Sequence, residues 1–298
     1  MPTEVRCEPA AGPGDRLAVI PQYLLPHHFL SRIVYRATRW RTPWWKNALI
    51  QWFVRRYRVP MAEAAEPDPR AYACFNDFFT RALEPGARPL PDDPAALASP
   101  VDGTLSALGP ITDGRLIQAK GRDFSLLELI GGDETDAAPF RGGSFATIYL
   151  SPRDYHRIHM PVAGRLQRSV YVPGRLFTVA PHAVRAVPRL FARNERLVAL
   201  FDTDSGPLAV ILVGALFVAC IETVWEGVVT PPHRQRIRPR NFDGGLTLAR
   251  GDELGRFNMG STVILLFGPD AVDWRADLAA GDAVRMGQAL GDLIPRRD

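Results

Sequence analysis

An α+β fold, with a mainly β body behind an N-terminal amphipathic helical arm, follows from three observations. From Ala98 onward the 298-residue chain breaks into short apolar runs punctuated by Gly and Pro, the pattern of strands and tight turns. Between Phe29 and Tyr57 apolar and aromatic residues recur at helical spacing among arginines. Hydrophobic residues make up 46% and charged residues 23%, a globular composition long enough for one large domain or two small ones.

In the arm, Leu30, Ile33, Val34 and Ala37 fall on one helical face. Ala48, Leu49, Trp52 and Phe53 do the same, and Pro43 is suited to open that second helix. Between Arg16 and Ala62 there are nine Lys and Arg but no Asp or Glu, and four of the six tryptophans, Trp40, Trp44, Trp45 and Trp52, lie there. The rest of the chain holds 27 basic and 32 acidic residues, so the net charge of +4 belongs to the arm. Aromatic faces edged by arginine suit helices lying in a lipid headgroup layer. They also suit helices packed on a body with solvated arginines. The acidic body, without a nucleic-acid motif, argues against nucleic acid as a partner.

Residues 208–221 form the longest apolar run, too short for a bilayer span and interrupted by Gly214, and read as buried strand. The first residues, Met1 to Arg6 and the polar, Pro- and Gly-containing sequence after them, hold no apolar signal core, so an intracellular protein is expected. Cys7, Cys74 and Cys220 are odd in number and widely spaced, against both a disulfide framework and a zinc cluster.

A Pro-containing linker, Glu66-Pro67-Asp68-Pro69-Arg70, sets the expected boundary between an arm of residues 1–66 and a β-rich catalytic domain of residues 67–298. A short helix is predicted over 75–81, and strands over 104–108, 146–150, 166–172, 197–201, 209–213 and 262–267. The body also echoes itself. Pro100-Val101-Asp102-Gly103-Thr104-Leu105 resembles Pro161-Val162-Ala163-Gly164-Arg165-Leu166, and Gly251-Asp252-Glu253-Leu254-Gly255 returns as Gly281-Asp282-Ala283-Val284 with Gly287 and Gly291. Such Gly-Asp patterns look like the barrel-sandwich hybrids of biotinyl and lipoyl carriers, so a barrel-sandwich-like body is expected. A carrier needs a lysine in its hairpin, and the chain has only Lys46 and Lys120, which argues against carrier function.

Two segments carry chemistry. Gly260-Ser261-Thr262 stands between a turn-rich stretch and an apolar strand. Gly260 offers an unhindered carbonyl and Ser261 a hydroxyl able to attack it, although such triplets also make ordinary turns. The segment from Tyr149 to Pro161 gathers His156 and His159 beside Arg153 and Arg157. A histidine exchanging protons near neutral pH needs a partner on its other ring nitrogen, and Asp102 in its Gly-containing turn is suited to a Ser/His/Asp set. Neither a His-Glu-x-x-His pattern nor a Gly-x-Ser-x-Gly elbow is present, so no metal site is expected and an ordinary serine hydrolase is disfavoured.

Ser99 to Gly103, Ala119 to Leu127, Tyr149 to Pro161, Leu190 to Arg196 and Gly251 to Phe267 together resemble the bacterial phosphatidylserine decarboxylase proenzymes, nearly from end to end. The family triplet commonly follows Leu; here it follows Met259, of similar volume. The resemblance implies that His159, oriented by Asp102, activates Ser261 to attack Gly260. Self-cleavage would then give a large chain of residues 1–260 paired with a small chain of residues 261–298. Ser261 would become a covalent pyruvoyl cofactor, forming a Schiff base with the substrate amine. His156 is the candidate proton donor, and Arg153, Arg157 and Lys120 are cations available to a phosphate or carboxylate. The implied activity is decarboxylation of phosphatidylserine to phosphatidylethanolamine by a peripheral enzyme on the cytoplasmic side of an anionic cell membrane. The alternatives are a pyruvoyl decarboxylase of a soluble amino acid and a non-enzymatic, membrane-bound β-rich adaptor.

Overall fold

The structure, a computed structural model, describes residues 5–216, 220–230, 236–258 and 261–296. Met259 and Gly260 therefore lie outside the described residues, as do residues 217–219 of the long apolar run.

Three helices lead the chain: α1 (Pro13–Leu24), α2 (His27–Thr38) and α3 (Pro43–Tyr57). Pro43 occupies the first turn of α3, where its missing N–H costs nothing, and the chain leaves through Arg58 in the left-handed region at φ 54°. Two or three helices are expected in the arm, and the first of the three is the one whose position the sequence does not give, because its apolar residues Leu17, Ile20, Tyr23 and Leu24 are exposed and Pro21 lies inside it. Buried Val19 joins the main core, Tyr23 packs on Phe177, and polar residues add docking contacts. Arg185 on α7 (Pro181–Ala186) grips both oxygens of Asp15 at 2.9 Å, and Gln22 accepts from the Thr178 N–H at 2.9 Å. Among the described residues no helix is long and apolar enough to cross a membrane.

The expected division at residue 66 is crossed by packing. From α3, Ile50 and Phe53 share a small core with Phe75, Phe78 and Phe79 of α4 (Phe75–Phe79), and Lys46 Nζ donates to the Arg70 carbonyl at 2.8 Å.

The body is built of antiparallel strands, giving a mixed α+β architecture. In spatial order the main sheet runs β1 (Arg6–Cys7), β3 (Gly103–Pro110), β6 (Ser144–Leu150), β15 (Ser261–Phe267), β10 (Gly206–Val213), β9 (Arg196–Thr203), β8 (Gly164–Val172) and β13 (Arg238–Leu248), with β17 (Ala283–Val284) also on β3. A second sheet orders β12 (Gly227–Val228), β11 (Ile221–Thr223), β14 (Glu253–Phe257) and β7 (Arg157–His159). A third holds β16 (Val272–Trp274), β18 (Ala289–Leu293) and β2 (Ala96–Ala98), while β4 (Arg115–Ala119) pairs with β5 (Arg122–Ser125). Short helices α5 (Leu126–Ile130), α6 (Glu134–Ala137) and α8 (Leu190–Arg193) fill the crossings.

All six predicted strands appear, lengthened at their ends. The apolar run at 208–221 is not one strand. The strand stops at Val213, where the next residue, Gly214, turns its N–H to Glu195 and its carbonyl to Asn194, and the next described strand begins at Ile221. The internal echo has a structural counterpart. Gly251 and Gly281 both take positive φ, 89° and 98°, and the Asp after each accepts from the N–H three residues earlier, Asp252 from Ala249 at 2.7 Å and Asp282 from Ala279 at 2.6 Å.

Sheet topology positions the candidate site. Residues 151–156 carry the chain from β6 in the main sheet to β7 in the second, and because β6 pairs with β15 and β7 with β14, the end of β14 and the start of β15 flank that link.

Candidate active site

Ser261 opens β15 directly opposite Leu150, the last residue of β6, and is fully buried. Its hydroxyl has no hydrogen-bond partner among the described residues. A buried orphan hydroxyl costs roughly 1–3 kcal/mol in desolvation, so a residue retained here needs another reason.

His156 lies on the neighbouring link, its carbonyl accepting from the Phe257 N–H at 3.0 Å. The ring is wholly buried against Phe79, centroids 4.1 Å apart. Its Nδ1 sits 2.8 Å from the Asp154 carbonyl, which can only accept, so Nδ1 carries the hydrogen. The other nitrogen, Nε2, has no partner among the described residues. Burial pushes the ring pKa down to about 3, leaving a neutral imidazole whose Nε2 lone pair is unengaged.

His159 ends β7. Its Nδ1 donates to the Gly251 carbonyl at 2.8 Å, which leaves Nε2 as the basic nitrogen, and there the Tyr155 hydroxyl donates at 3.0 Å. Tyr155 also stacks on the ring, centroids 5.6 Å apart. Burial lowers the His159 pKa, with the Glu253 and Asp102 carboxylates opposing. The expected hydrogen bond from His159 to Asp102 is absent, because each group is committed elsewhere. Asp102 accepts two bonds from Arg88, Nε to Oδ1 at 2.8 Å and Nη2 to Oδ2 at 2.6 Å, and a third from the Met286 N–H at 2.8 Å. It remains beside His159 in the fold, since the His159 N–H binds the Pro100 carbonyl at 2.9 Å.

The cations suggested for an anionic substrate differ in availability. Arg157 is engaged by Glu253 at 2.9 Å and the Thr80 carbonyl at 2.9 Å, whereas Arg153 is largely exposed and only 3.8 Å from Asp154. The Leu190 to Arg196 segment is structural: buried Arg196 donates to the Leu129, Ala192 and Asn194 carbonyls at 2.6, 2.8 and 2.8 Å.

Sequence reasoning missed Arg88, Tyr155 and Gly251 as partners of the expected set. It also missed the clamp on residue 258, where Asn76 Nδ2 donates to Asn258 Oδ1 at 2.7 Å and the Asn258 N–H binds the Cys220 carbonyl at 3.0 Å. Tyr155 stood within the histidine segment; Arg88 and Asn76 lie in stretches whose sequence gives no chemical signal.

Comparisons with known proteins agree on one family. The sequence profile described as phosphatidylserine decarboxylase matches residues 75–292, and a second, described as PSD, matches residues 17–58. The phosphatidylserine decarboxylase proenzyme of Ectopseudomonas mendocina is 57% identical over 93% of this chain and 98% of its own length. Proenzymes of the same name from Pseudomonas putida strains GB-1 and F1 are 58% and 59% identical, over 94% and 93% of this chain and 99% and 97% of their own.

Proposed function

The chain belongs to the phosphatidylserine decarboxylase family, proenzyme carboxy-lyases that convert phosphatidylserine to phosphatidylethanolamine, and we propose that it works through a pyruvoyl group cut from its own backbone at Ser261. The observation that carries this reading is the buried, unpartnered Ser261 hydroxyl at the strand corner beside the His156 link. The Thr262 hydroxyl beside it is also buried without a partner among the described residues, so what sets Ser261 apart is its place directly after Gly260, with a free hydroxyl able to attack the preceding carbonyl.

Cleavage begins when the Ser261 oxygen bonds to the Gly260 carbonyl carbon as the peptide C–N bond breaks, leaving an ester and a free amine at residue 261. Loss of the Ser261 α-proton expels Gly260 as a carboxylate, and hydrolysis of the resulting dehydroalanine releases ammonia. His159 is suited to take the hydroxyl proton. Gly251 fixes its tautomer, so Nε2 is the base, and the Tyr155 hydroxyl on that nitrogen either relays the proton or turns aside. Asp102 acts on His159 through space, its carboxylate favouring the imidazolium, while Arg88 and Met286 hold it in place.

A pyruvoyl group supplies an electrophilic ketone that draws off the electron pair left by departing carbon dioxide. His156 contributes a buried lone pair at Nε2 and must first accept a proton before it can deliver one to the product. The small chain stays bound after cleavage because β15 is held on both sides, by β6 and by β10. The arm, residues 1–66, meets an anionic membrane on the cytoplasmic side: Phe29, Trp44 and Trp52 are exposed on the arginine-bearing helices α2 and α3, with Leu24 and Trp40 exposed beside them.

Mass spectrometry of the purified, folded protein tests the reading. Two chains ending at 260 and beginning at 261, the second blocked at its N-terminus and reactive to carbonyl reagents, are expected; an intact 33.0 kDa chain would refute it.

A further inference from the structure

A cavity of about 340 Å³ opens beside the proposed site. Its wall includes Asp102, Tyr155 with its hydroxyl on His159, and Ser151, which follows the residue opposite Ser261. This volume is at the small end for ligand sites and fits a headgroup rather than a whole lipid.

The charges around it do not balance. Five arginines, Arg58, Arg81, Arg88, Arg153 and Arg285, face three acids, Glu63, Asp102 and Asp154. Arg88 takes up Asp102 and one oxygen of Glu63, Arg285 lies 3.4 Å from the other oxygen of Glu63, and Arg153 lies 3.8 Å from Asp154. Neither Arg58 nor Arg81 has a carboxylate within 4.0 Å among the described residues.

Arg81 is the more telling of the two. It is only 3% exposed, yet its hydrogen bonding among the described residues amounts to Nη2 on the Arg153 carbonyl at 3.2 Å, and its Nε is buried without an acceptor. A guanidinium withdrawn from water normally meets an acid that repays the desolvation. Asp154, the one acid of the cavity wall that no arginine holds at close range among the described residues, accepts from the Ser151 N–H at 2.7 Å, and burial raises its pKa. The missing partner is therefore an anion from outside the chain, and a guanidinium edge with unused N–H groups matches two oxygens of a phosphate.

We propose that this cavity is the subsite for the phosphodiester of the substrate headgroup, with Arg81 as its buried ligand and Arg58 and Arg285 at its rim. The assignment rests on the reading that phosphatidylserine is decarboxylated at Ser261. The ligand chemistry, a phosphate oxyanion, could also be met by free phosphate, and the experiment separates the two.

Arg81→Gln and Arg81→Lys are purified as cleaved enzyme, with cleavage and carbonyl content as the check on folding. KM and kcat are measured on dihexanoyl phosphatidylserine below its micelle concentration, where the arm is not needed. The Gln variant should raise KM at least tenfold with a smaller change in kcat, and the Lys variant should recover part of the loss. Inorganic phosphate should inhibit the wild type competitively and the Gln variant far more weakly. O-methyl-L-serine, which lacks the phosphate, should be processed equally by both. An unchanged KM, an equal loss on O-methyl-L-serine, or phosphate inhibition that is non-competitive would overturn the headgroup subsite. Should the Arg81 variants fail to cleave, Arg58→Gln/Arg285→Gln takes their place with the same expected direction, and an unchanged KM again overturns it. A wild-type enzyme that is inactive on phosphatidylserine would refute the functional reading instead. Calorimetric titration of inorganic phosphate into wild type and Arg81→Gln then decides the anion site alone, equal binding to both overturning it.

Discussion

Arg88 holds both carboxylate oxygens of Asp102, at 2.8 and 2.6 Å, so the acid expected to orient a histidine is itself an oriented group. Both side chains are nearly buried, and removing one partner strands the other in a poor solvent. Arg88→Met should destabilise the uncut His159→Ala background by roughly 3 kcal/mol, whereas Asp102→Asn, which keeps an acceptor for the Met286 N–H, should cost less. Urea unfolding of both variants checks the order. The reverse order would mean that Arg88 contributes little to holding Asp102.

Ser261→Ala and His159→Ala should each give a folded chain of 33.0 kDa without decarboxylase activity. The buried hydroxyl adds a sharper expectation. Since it has no partner among the described residues, deleting it should stabilise the uncut chain by about 1 kcal/mol when Ser261→Ala is added to His159→Ala. A loss of stability in that comparison would show that the hydroxyl is satisfied in the uncut state.

Asn76 reaches from α4 to Asn258, two residues before Gly260, and so ties the small helical core to the stretch leading to the proposed scissile bond. Positioning of this kind is felt steeply in rate, because an error of about 1 Å can cost 10²-fold. Asn76→Ala should slow self-cleavage at least tenfold, followed by time-resolved electrophoresis from a denatured start. Decarboxylation per cleaved chain should change little; equal losses in both would point to general unfolding of α4.

The strands were legible because burial writes apolar runs into sequence, β15 being buried at every residue. Helical spacing placed α2 and α3, but the faces they bury differ from those expected: α2 buries His27, Ser31 and Thr38, and α3 buries Ile50 and Phe53 while Ala48 and Trp52 are exposed. The first helix was not legible because it docks through the polar Asp15 and Gln22 and one buried aliphatic residue, Val19, too few to write a hydrophobic period. Residue types at the site were readable, since Ser261, His156, His159 and Asp102 each announce a chemistry. Their hydrogen bonding was not. The partner of His159 Nδ1 is a backbone carbonyl at Gly251, a group every residue possesses, which becomes a ligand only through the pairing of β7 with β14.

On the arm, exposed Trp44 and Trp52 stand on α3, Trp52 within about one turn of Arg55 and Arg56. Replacing Arg36, Arg39, Arg55 and Arg56 with Gln should leave cleavage intact while weakening flotation with anionic vesicles, each charge near such a surface being worth about 1 kcal/mol. The loss should be largest at low salt, where screening is weakest. Flotation unchanged at 0.15 M salt would remove electrostatics from the arm's role.

Stability against pH follows from His156. Its pKa is about 3 in the fold and near 6.5 when the chain unfolds, so below pH 6.5 the unfolded state binds a proton that the folded state refuses. That stabilisation is fully present above pH 6.5 and drains away as pH falls toward 3. Between pH 7.5 and pH 5 the His156 share should be about 2 kcal/mol. Other groups titrate in the same range, so the measurement is a difference. In the uncut Ser261→Ala background, His156→Gln should flatten the acid limb of stability by that amount in urea unfolding at the two pH values. Parallel slopes with and without the histidine would mean that His156 reaches water or a proton partner in the folded chain, and its role as a buried, neutral acceptor would fall with it.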